Sequence, residues 1–347
     1  MLVLISPGFA NGEADSTCLP AIQQMVLSFK DKLGAENICI IALHYPFQKS
    51  EYTWHGIKVY ALAGKNKKSP LRLFIWISFF ALLFKINRQS KIKALLTFWM
   101  NEGALLSKLY SQLTGVPLAF WVQGQDARKT NKYVRFLRPM PNQVFSISDF
   151  SAAELKNNFG LFPTTVAANG IRPASFPPLN RADRPISVIG VGSLTSLKNY
   201  KLFVEVLAEL SKKLPNLHFL HCGEGPELQS LAQLSKELHI DSNLKFVGNT
   251  PHTKVFDLLN QSKVLLHTSQ YEGSSTVTAE ALYLGCKVVS TFSLGNEPVK
   301  GLYVTTNKNE MLQLLFELLS NPTPAESVAS HFLSDSIDII CTRLKLQ

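Results

Sequence analysis

The chain has 347 residues, of which 46% are hydrophobic and 17% charged, and its formal net charge is +10. That length suffices for two domains with separate cores, and the hydrophobic content fits a globular protein. Its five cysteines, Cys18, Cys39, Cys222, Cys286 and Cys341, are odd in number and form no CxxC or His-Cys cluster, which excludes a disulfide framework and a zinc site and points to a reduced, cytosolic compartment.

The positive charge is unevenly placed. Residues 1–180 hold 20 Lys and Arg against 9 Asp and Glu, whereas residues 181–347 hold 15 against 16. Within 49–93 ten basic residues accompany a single acid, Glu51. Such asymmetry points to an anionic surface, either membrane or nucleic acid. The chain opens on the apolar run Leu2 to Ile5 without a basic leader, so no signal peptide is expected.

In chain order, Leu2 to Ser6 reads as a buried parallel strand. A loop with Gly8 and Gly12 and a helix near Pro20 to Leu33 follow. Strand, glycine loop and helix is a layout that lets backbone amides approach a phosphate. Further strands are expected at Ile38 to Leu43, Ile57 to Leu62, Ala94 to Phe98, Pro117 to Val122 and Val144 to Ile147, with a helix over 102–114 capped by Asn101 and another over 149–158. This alternation predicts a doubly wound α/β domain. Leu71 to Phe84 is apolar on nearly all sides apart from Arg72, and is flanked by Lys65, Lys67, Lys68, Lys85, Arg88, Lys91 and Lys93. Fourteen residues fall short of the roughly 20 that span a bilayer. The segment reads as a helix lying in the headgroup layer, with a core helix as the alternative. Nucleic acid fits less well, because Trp76, Phe79 and Phe80 sit in an aliphatic run and do not interleave with bases.

Trp121 to Asp126 (WVQGQD) leaves a strand at its carboxyl end, where open α/β sheets place ligands. Asp126 is either an acidic group facing a substrate or a helix N-cap. Asn169-Gly170 is expected to be a turn that closes the half, and the proline-rich run Arg172 to Pro185 a semi-rigid linker. The pattern then restarts: a strand over Ile186 to Val191, a glycine turn at Gly190 to Gly192, a helix from about Asn199 to Leu214, and a strand over His218 to Cys222. The turn Gly223 to Glu227 follows, with Pro226 just inside a helix that runs to about Leu238. A strand over Leu244 to Val247, a loop at Gly248 to Thr250, a helix over 252–261 capped by Thr250, and a strand over Val264 to His267 complete this series.

Tyr271 to Ser290 (YEGSSTVTAEALYLGCKVVS) reads as loop, helix, turn and strand. Ser274, Ser275 and Thr276 suit a helix start, whose orphan amides and dipole favour an anion. Glu272 in the loop and Glu280 in the helix cannot be there to bind phosphate, since like charges repel. They suit the hydroxyls of a sugar or ribose. A pair of solvated glutamates on an amphipathic helix is the plainer alternative.

This stretch resembles the Glu-x7-Glu signature of the retaining GT-B glycosyltransferases (group 1, family 4-like). The run Val191 to Asn199, with Lys198, is similar to that family's diphosphate-clamping loop, and Gly223 to Glu227 (GEGPE) to its nucleotide-side turn. The resemblance implies two doubly wound Rossmann-like domains facing a central cleft, over 1–172 and 186–325, a Pro-rich linker over 173–185, and a final helix within 326–347 crossing back to the first domain. It further implies these roles. Lys198 and the amides of Gly273, Ser274, Ser275 and Thr276 hold the diphosphate, Glu272 binds sugar hydroxyls and Glu280 binds ribose. Gly223, Gly248 and Asn249 lie near the nucleotide, and Gly12 lets the first domain close over the phosphates. Two positions depart from the pattern. Ser193 stands where the family has an arginine, and Gln123 where it has a histidine; Asp126 remains as the acidic group on the acceptor side.

The expected activity is transfer of a sugar from a nucleotide-diphosphate donor, such as a UDP- or GDP-sugar, to a glycan or lipid-linked acceptor with retention. The expected setting is cell-surface polysaccharide or lipopolysaccharide synthesis, with the protein peripheral on the inner face of the membrane through 65–93. No cofactor, metal or nucleic-acid partner is expected. The alternatives are a non-catalytic nucleotide-sugar-binding protein, motivated by Gln123 and Ser193, and a GT-B epimerase.

Overall fold

The computed structural model describes residues 1–65 and 72–346. The chain divides into two compact units, Met1–Arg172 with His331–Gln347, and Pro173–Ser330.

The first unit is built on an eight-stranded sheet. Its strands are β1 (Leu2–Gly8), β2 (Ile38–Tyr45), β3 (Ser50–Trp54), β4 (Ile57–Ala61), β5 (Ala94–Phe98), β6 (Leu118–Trp121), β7 (Val144–Ser146) and β8 (Thr165–Val166). They run in the order β3-β4-β2-β1-β5-β6-β7-β8, parallel except for β3. Alternation along β1 explains the two cores. Leu2 and Leu4 enter one, with α1 (Pro20–Leu33) and α11 (Leu333–Leu344). Val3 and Ile5 enter the other, with α2 (Arg72–Gln89), α3 (Glu102–Thr114), α4 (Lys132–Leu137) and α5 (Asp149–Phe159). Sheets covered on both faces need this continuous apolar run. Asn101 caps α3, its side chain accepting from Gly103 N at 2.8 Å and Ala104 N at 3.4 Å.

The second unit holds a six-stranded parallel sheet: β9 (Ile186–Val191), β10 (Phe219–Cys222), β11 (Leu244–Phe246), β12 (Ser262–His267), β13 (Lys287–Ser290) and β14 (Leu302–Val304). The order is β11-β10-β9-β12-β13-β14. Helices α6 (Tyr200–Lys213), α7 (Leu228–Glu237) and α10 (Lys308–Ser320) pack on one face, and α8 (His252–Leu259) and α9 (Thr276–Tyr283) on the other. Both units are therefore doubly wound α/β.

Several local expectations need correction. The strand β3 is absent from the sequence reading; it forms a hairpin with β4 across His55-Gly56, both at positive φ (47° and 83°), as tight hairpins require. Asn169-Gly170 is no turn. Gly170 runs beneath the C-terminal segment, where a Cβ would come within 2.8 Å of Leu333 N. Gly190 lies inside β9, where a Cβ would come within 2.8 Å of the Phe203 ring. Thr250 does not cap α8, whose N-cap position is Pro251; its hydroxyl donates to Gly248 O at 3.0 Å. Pro226 precedes α7, which starts at Leu228. The apolar helix runs over Arg72–Gln89, further than 71–84. Lys67, Lys68 and Leu71 lie outside the described residues. No helix among the described residues is long and apolar enough to cross a membrane.

Candidate functional site

In an open parallel sheet the loops at the carboxyl ends diverge where the strand order reverses, and ligands bind there. In the second unit that point lies between β9 and β12. The chain after β9 makes a 3-10 turn, Ser196–Lys198, before α6. The chain after β12 docks on it: Gln270 N donates to Leu197 O at 2.8 Å, and Thr268 Oγ1 donates to Lys198 O at 3.1 Å. Lys198 and Glu272, 74 residues apart, thereby meet in an ion pair.

Three donors converge on Oε1 of Glu272: Lys198 Nζ, His267 Nε2 at 3.1 Å and Ser269 Oγ at 2.9 Å. Its Oε2 has no partner among the described residues. An ionised carboxylate only accepts, so His267 presents a proton on Nε2, and its Nδ1 lies 3.0 Å from Ser290 Oγ. Ser290 Oγ in turn accepts from Phe292 N at 3.1 Å. Burial alone would raise the Glu272 carboxyl, but the His267 hydrogen bond and the Lys198 charge outweigh it and hold the pKa down at about 2. Glu272 is therefore an anion at neutral pH. His267 and Ser290 were missed by the sequence reading. The available signal was that each is a polar residue ending an apolar strand at the carboxyl edge of the sheet.

Helix α9 starts from the same loop. Ser275 is its N-cap and accepts from Thr278 N at 3.4 Å. The Ser275 hydroxyl also lies 3.5 Å from His267 Nε2, which ties the helix start to the Glu272 cluster. Gly273 is buried, and Ser274 and Thr276 are half-buried in the approach to the first turn. Glu280, 8% exposed, lies 3.0 Å from Nε2 of His252, the first residue of α8. A helix start with free first-turn amides attracts an anion, and two carboxylates flank this one.

Glycines bring the neighbouring loops together. Gly223 has φ 135°, and a Cβ there would lie 2.0 Å from Gly192 O, so no other residue fits. Gly223 N donates to Gly248 O at 2.8 Å, and Asn249 N to Glu224 Oε1 at 3.1 Å. The loops after β9, β10 and β11 thus form one rim. Ser193 is exposed on the first of them.

In the first unit the strand order reverses between β1 and β5. Gly12, with φ 149°, lies in the loop after β1, and no atom lies within 4 Å of a Cβ built there. Asp15 fastens this loop, accepting from Asn11 N at 3.0 Å, Cys18 N at 3.2 Å and Tyr45 Oη at 3.0 Å. Gln123 is 7% and Asp126 3% exposed. The Asp126 carboxylate is engaged within the protein: Oδ2 accepts from Gln123 N at 2.8 Å, and Oδ1 from Met100 N at 3.0 Å and Asn131 Nδ2 at 3.1 Å. It closes a capping box on the 3-10 turn Gly124–Ala127. Burial pushes its pKa up to about 7 against these three donors. Asp126 lines a cavity of about 370 Å³ together with Pro7, Trp99, Asn101, Arg128 and Tyr133.

A second buried carboxylate, Glu102, was not singled out from the sequence. Arg72 grips it with Nε at 2.6 Å and Nη2 at 2.7 Å, Trp76 Nε1 donates to it, and His44 Nε2 lies 3.5 Å away. Burial opposes its ionisation, but the Arg72 and Trp76 hydrogen bonds hold its pKa below the usual value. Arg72 and Trp76 stand one turn apart on α2, but His44 lies near the end of β2 and Glu102 starts α3, so the meeting of the four depends on how these elements pack.

Residues 171–319 match the family model "Glycosyl transferases group 1". That segment resembles a group 1 glycosyl transferase domain. The fold is GT-B, as in solved structures aligned over nearly the whole chain. A lipopolysaccharide outer core galactosyltransferase in its apo form aligns with TM-score 0.64 and 16% identity over 99% of this chain and 95% of that one. Anabaena HepE in complex with UDP and glucose aligns with TM-score 0.64 and 13% identity over 99% and 95%. Among curated proteins, one component of the human phosphatidylinositol N-acetylglucosaminyltransferase is 28% identical over 268 residues, which is 74% of this chain and 55% of that protein. The chain therefore spans about half the length of that relative, and 37% of its Arabidopsis thaliana namesake. Lys198, Glu272, Glu280 and His267 all fall within the group 1 segment.

Proposed function

We propose that this protein transfers a sugar from a nucleotide-diphosphate donor to a glycan or lipid-linked acceptor, with retention at the anomeric carbon. One observation carries the reading: Lys198 and Glu272 are paired at the switch point of the second sheet, beside the start of α9. The diphosphate sits on the first-turn amides of α9, within reach of Lys198. A phosphate oxygen competes with Glu272 for the Lys198 ammonium. Glu272 keeps His267 and Ser269, and its Oε2 accepts from sugar hydroxyls. Glu280, oriented by His252, accepts from the ribose. As the glycosidic bond to the diphosphate breaks, negative charge grows on the leaving group, and Lys198 with the helix amides stabilises it; no cofactor or metal ion enters this scheme.

The names of similar proteins support the choice of donor and acceptor class. HepE was solved with UDP and glucose, and a Staphylococcus aureus TarM variant (TM-score 0.56, 18% identity, 75% of this chain) with UDP and α-GlcNAc-glycerol. UDP is accordingly the first nucleotide to test. We place the reaction in cell-surface polysaccharide or lipopolysaccharide synthesis at the inner face of the cell membrane. On the acceptor side we assign Gln123 as a hydroxyl-binding amide and Asp126 as the group that fixes the loops around it.

The position where the resemblance implies an imidazole holds the buried amide of Gln123, which favours a second reading as a nucleotide-sugar-binding protein without turnover. Incubation of UDP- and GDP-sugars with glycan and lipid extracts separates the two. Labelled sugar moving onto an acceptor supports the transferase. Nucleotide binding by calorimetry without transfer supports the second reading, and absence of nucleotide binding removes both.

A further inference from the structure

Helix α2 is apolar on two sides, and only one is used by the core. Phe79, Leu83 and Ile86 are buried against the first sheet. On the outer side Leu73, Phe74, Ile77 and Phe84 are 59%, 66%, 57% and 47% exposed. At 3.6 residues per turn, positions 73, 74, 77, 81 and 84 fall on one arc of the helix, which Ala81 completes and Arg88 ends. Soluble helices put polar residues on this arc. A contiguous apolar stripe with a polar rim marks an interaction surface.

The rim is predominantly basic. Lys65, Lys85, Arg88, Lys91 and Lys93 are exposed around the helix and the strand that follows it, and Glu51, between Lys58 and Lys85 at 3.7 Å from each, is the only acid from 49 to 93. The helix is held in place at its start by the Arg72–Glu102 pair and by Trp76 on the same carboxylate. It therefore presents a fixed apolar ridge. It cannot insert across a bilayer, since its other face is core and no helix among the described residues is long and apolar enough to span one.

We infer that the outer arc of α2, carrying Leu73, Phe74, Ile77 and Phe84, docks in the headgroup and upper acyl layer of an anionic lipid bilayer, with the surrounding lysines and arginines on the lipid phosphates. An apolar arc with a cationic rim matches such a surface on both counts. The inference takes from the proposed function only the membrane as the site of work, and specifies the surface that meets it.

The test is co-flotation of the full-length protein with vesicles of phosphatidylcholine alone, or with roughly a quarter phosphatidylglycerol. The parent protein is expected to float with the anionic vesicles. Replacing Phe74→Ser with Ile77→Ser, or Arg88→Glu with Lys91→Glu, should each lower the bound fraction by about tenfold. Phe162→Ser, at an exposed phenylalanine elsewhere in the first unit, should leave it unchanged. Equal binding of the parent and both double variants overturns the inference. So does a dimer in solution that Phe74→Ser with Ile77→Ser dissociates while vesicle binding is absent, because a second copy then covers the arc. UDP binding measured on the same variants keeps this result separate from the donor site: loss of flotation with UDP binding intact supports the surface, and UDP binding that fails in the parent as well condemns only the proposed function.

Discussion

Lys198 and Glu272 are each other's partners, although the proposed chemistry needs the cation on a phosphate and the anion on a sugar. The pairing keeps both side chains ordered at the carboxyl edge of the sheet. In the proposed reaction, donor binding is then an exchange of partners. A diphosphate offers Lys198 more negative charge than a carboxylate does, while His267 and Ser269 keep Glu272 in place.

Lys198→Ala and Glu272→Gln should each reduce turnover by about a hundredfold or more, the usual loss for one charge-stabilising group. Binding separates them. Lys198→Ala weakens UDP itself, whereas Glu272→Gln leaves UDP binding intact and removes the added affinity of the UDP-sugar. Steady-state kinetics with calorimetry checks both; unchanged transfer in either variant contradicts the assignment.

The depressed pKa of Glu272 fixes the sign of a pH effect. A carboxyl held at about 2 in the folded state, against an ordinary value of 4.5, contributes stability that is fully present above about pH 4.5 and is lost as pH falls towards 2. At about 1.4 kcal/mol per unit over the 2.5 pH units between 4.5 and 2, the contribution at neutral pH is at most roughly 3.5 kcal/mol. Denaturant unfolding of the parent and of Glu272→Gln should therefore differ at pH 7, with a gap that narrows below about pH 4.5 and closes only near and below pH 2. A gap that persists at low pH would assign the effect to something other than the charge.

Gly223→Ala should be severe. The new methyl group would stand 2.0 Å from Gly192 O, at φ 135°. A loss of roughly 3 kcal/mol or more, or failure of the second unit to fold, is expected. Gly12→Ala adds a methyl to open space and carries only the strain of its φ, roughly 1–2 kcal/mol. Thermal unfolding of the two variants orders them, and an equal loss would contradict the loop geometry.

Asp126→Ala leaves Met100 N, Gln123 N and Asn131 Nδ2 without their buried acceptor. Destabilisation of roughly 2–4 kcal/mol is expected, with UDP affinity unchanged because the donor groups lie in the other unit. A variant of parental stability that has lost transfer would instead make Asp126 a direct participant.

How much of this was legible in the sequence depends on how local each signal is. The cap of α3 at Asn101, the helix over Pro20–Leu33, and the strands Ala94–Phe98 and Lys287–Ser290 follow from neighbouring residues and stand at their expected limits. Both sheets follow from strands alternating with helices. Glu272, Glu280 and the α9 start were visible as one short stretch. The Lys198–Glu272 pair was not, because it depends on β9 and β12 being neighbours, which is a property of strand order. His267 and Ser290 showed only as polar ends of apolar strands, their pairing again set by strand order, and the Glu102–Arg72–Trp76 cluster depends on α2 packing against α3. The outer arc of α2 shows the converse: its sequence is apolar all round, and only the packing of Phe79, Leu83 and Ile86 shows which side the core leaves open.

The central claim is that a diphosphate is held at the start of α9 by Lys198. Calorimetric titration of UDP and of uridine into the parent protein and Lys198→Ala tests it most directly. The account predicts that UDP binds the parent at least about tenfold more tightly than uridine does, and that Lys198→Ala removes most of that difference while leaving uridine unaffected. Equal affinities for the two ligands, or a phosphate-dependent gain that survives in Lys198→Ala, would contradict it.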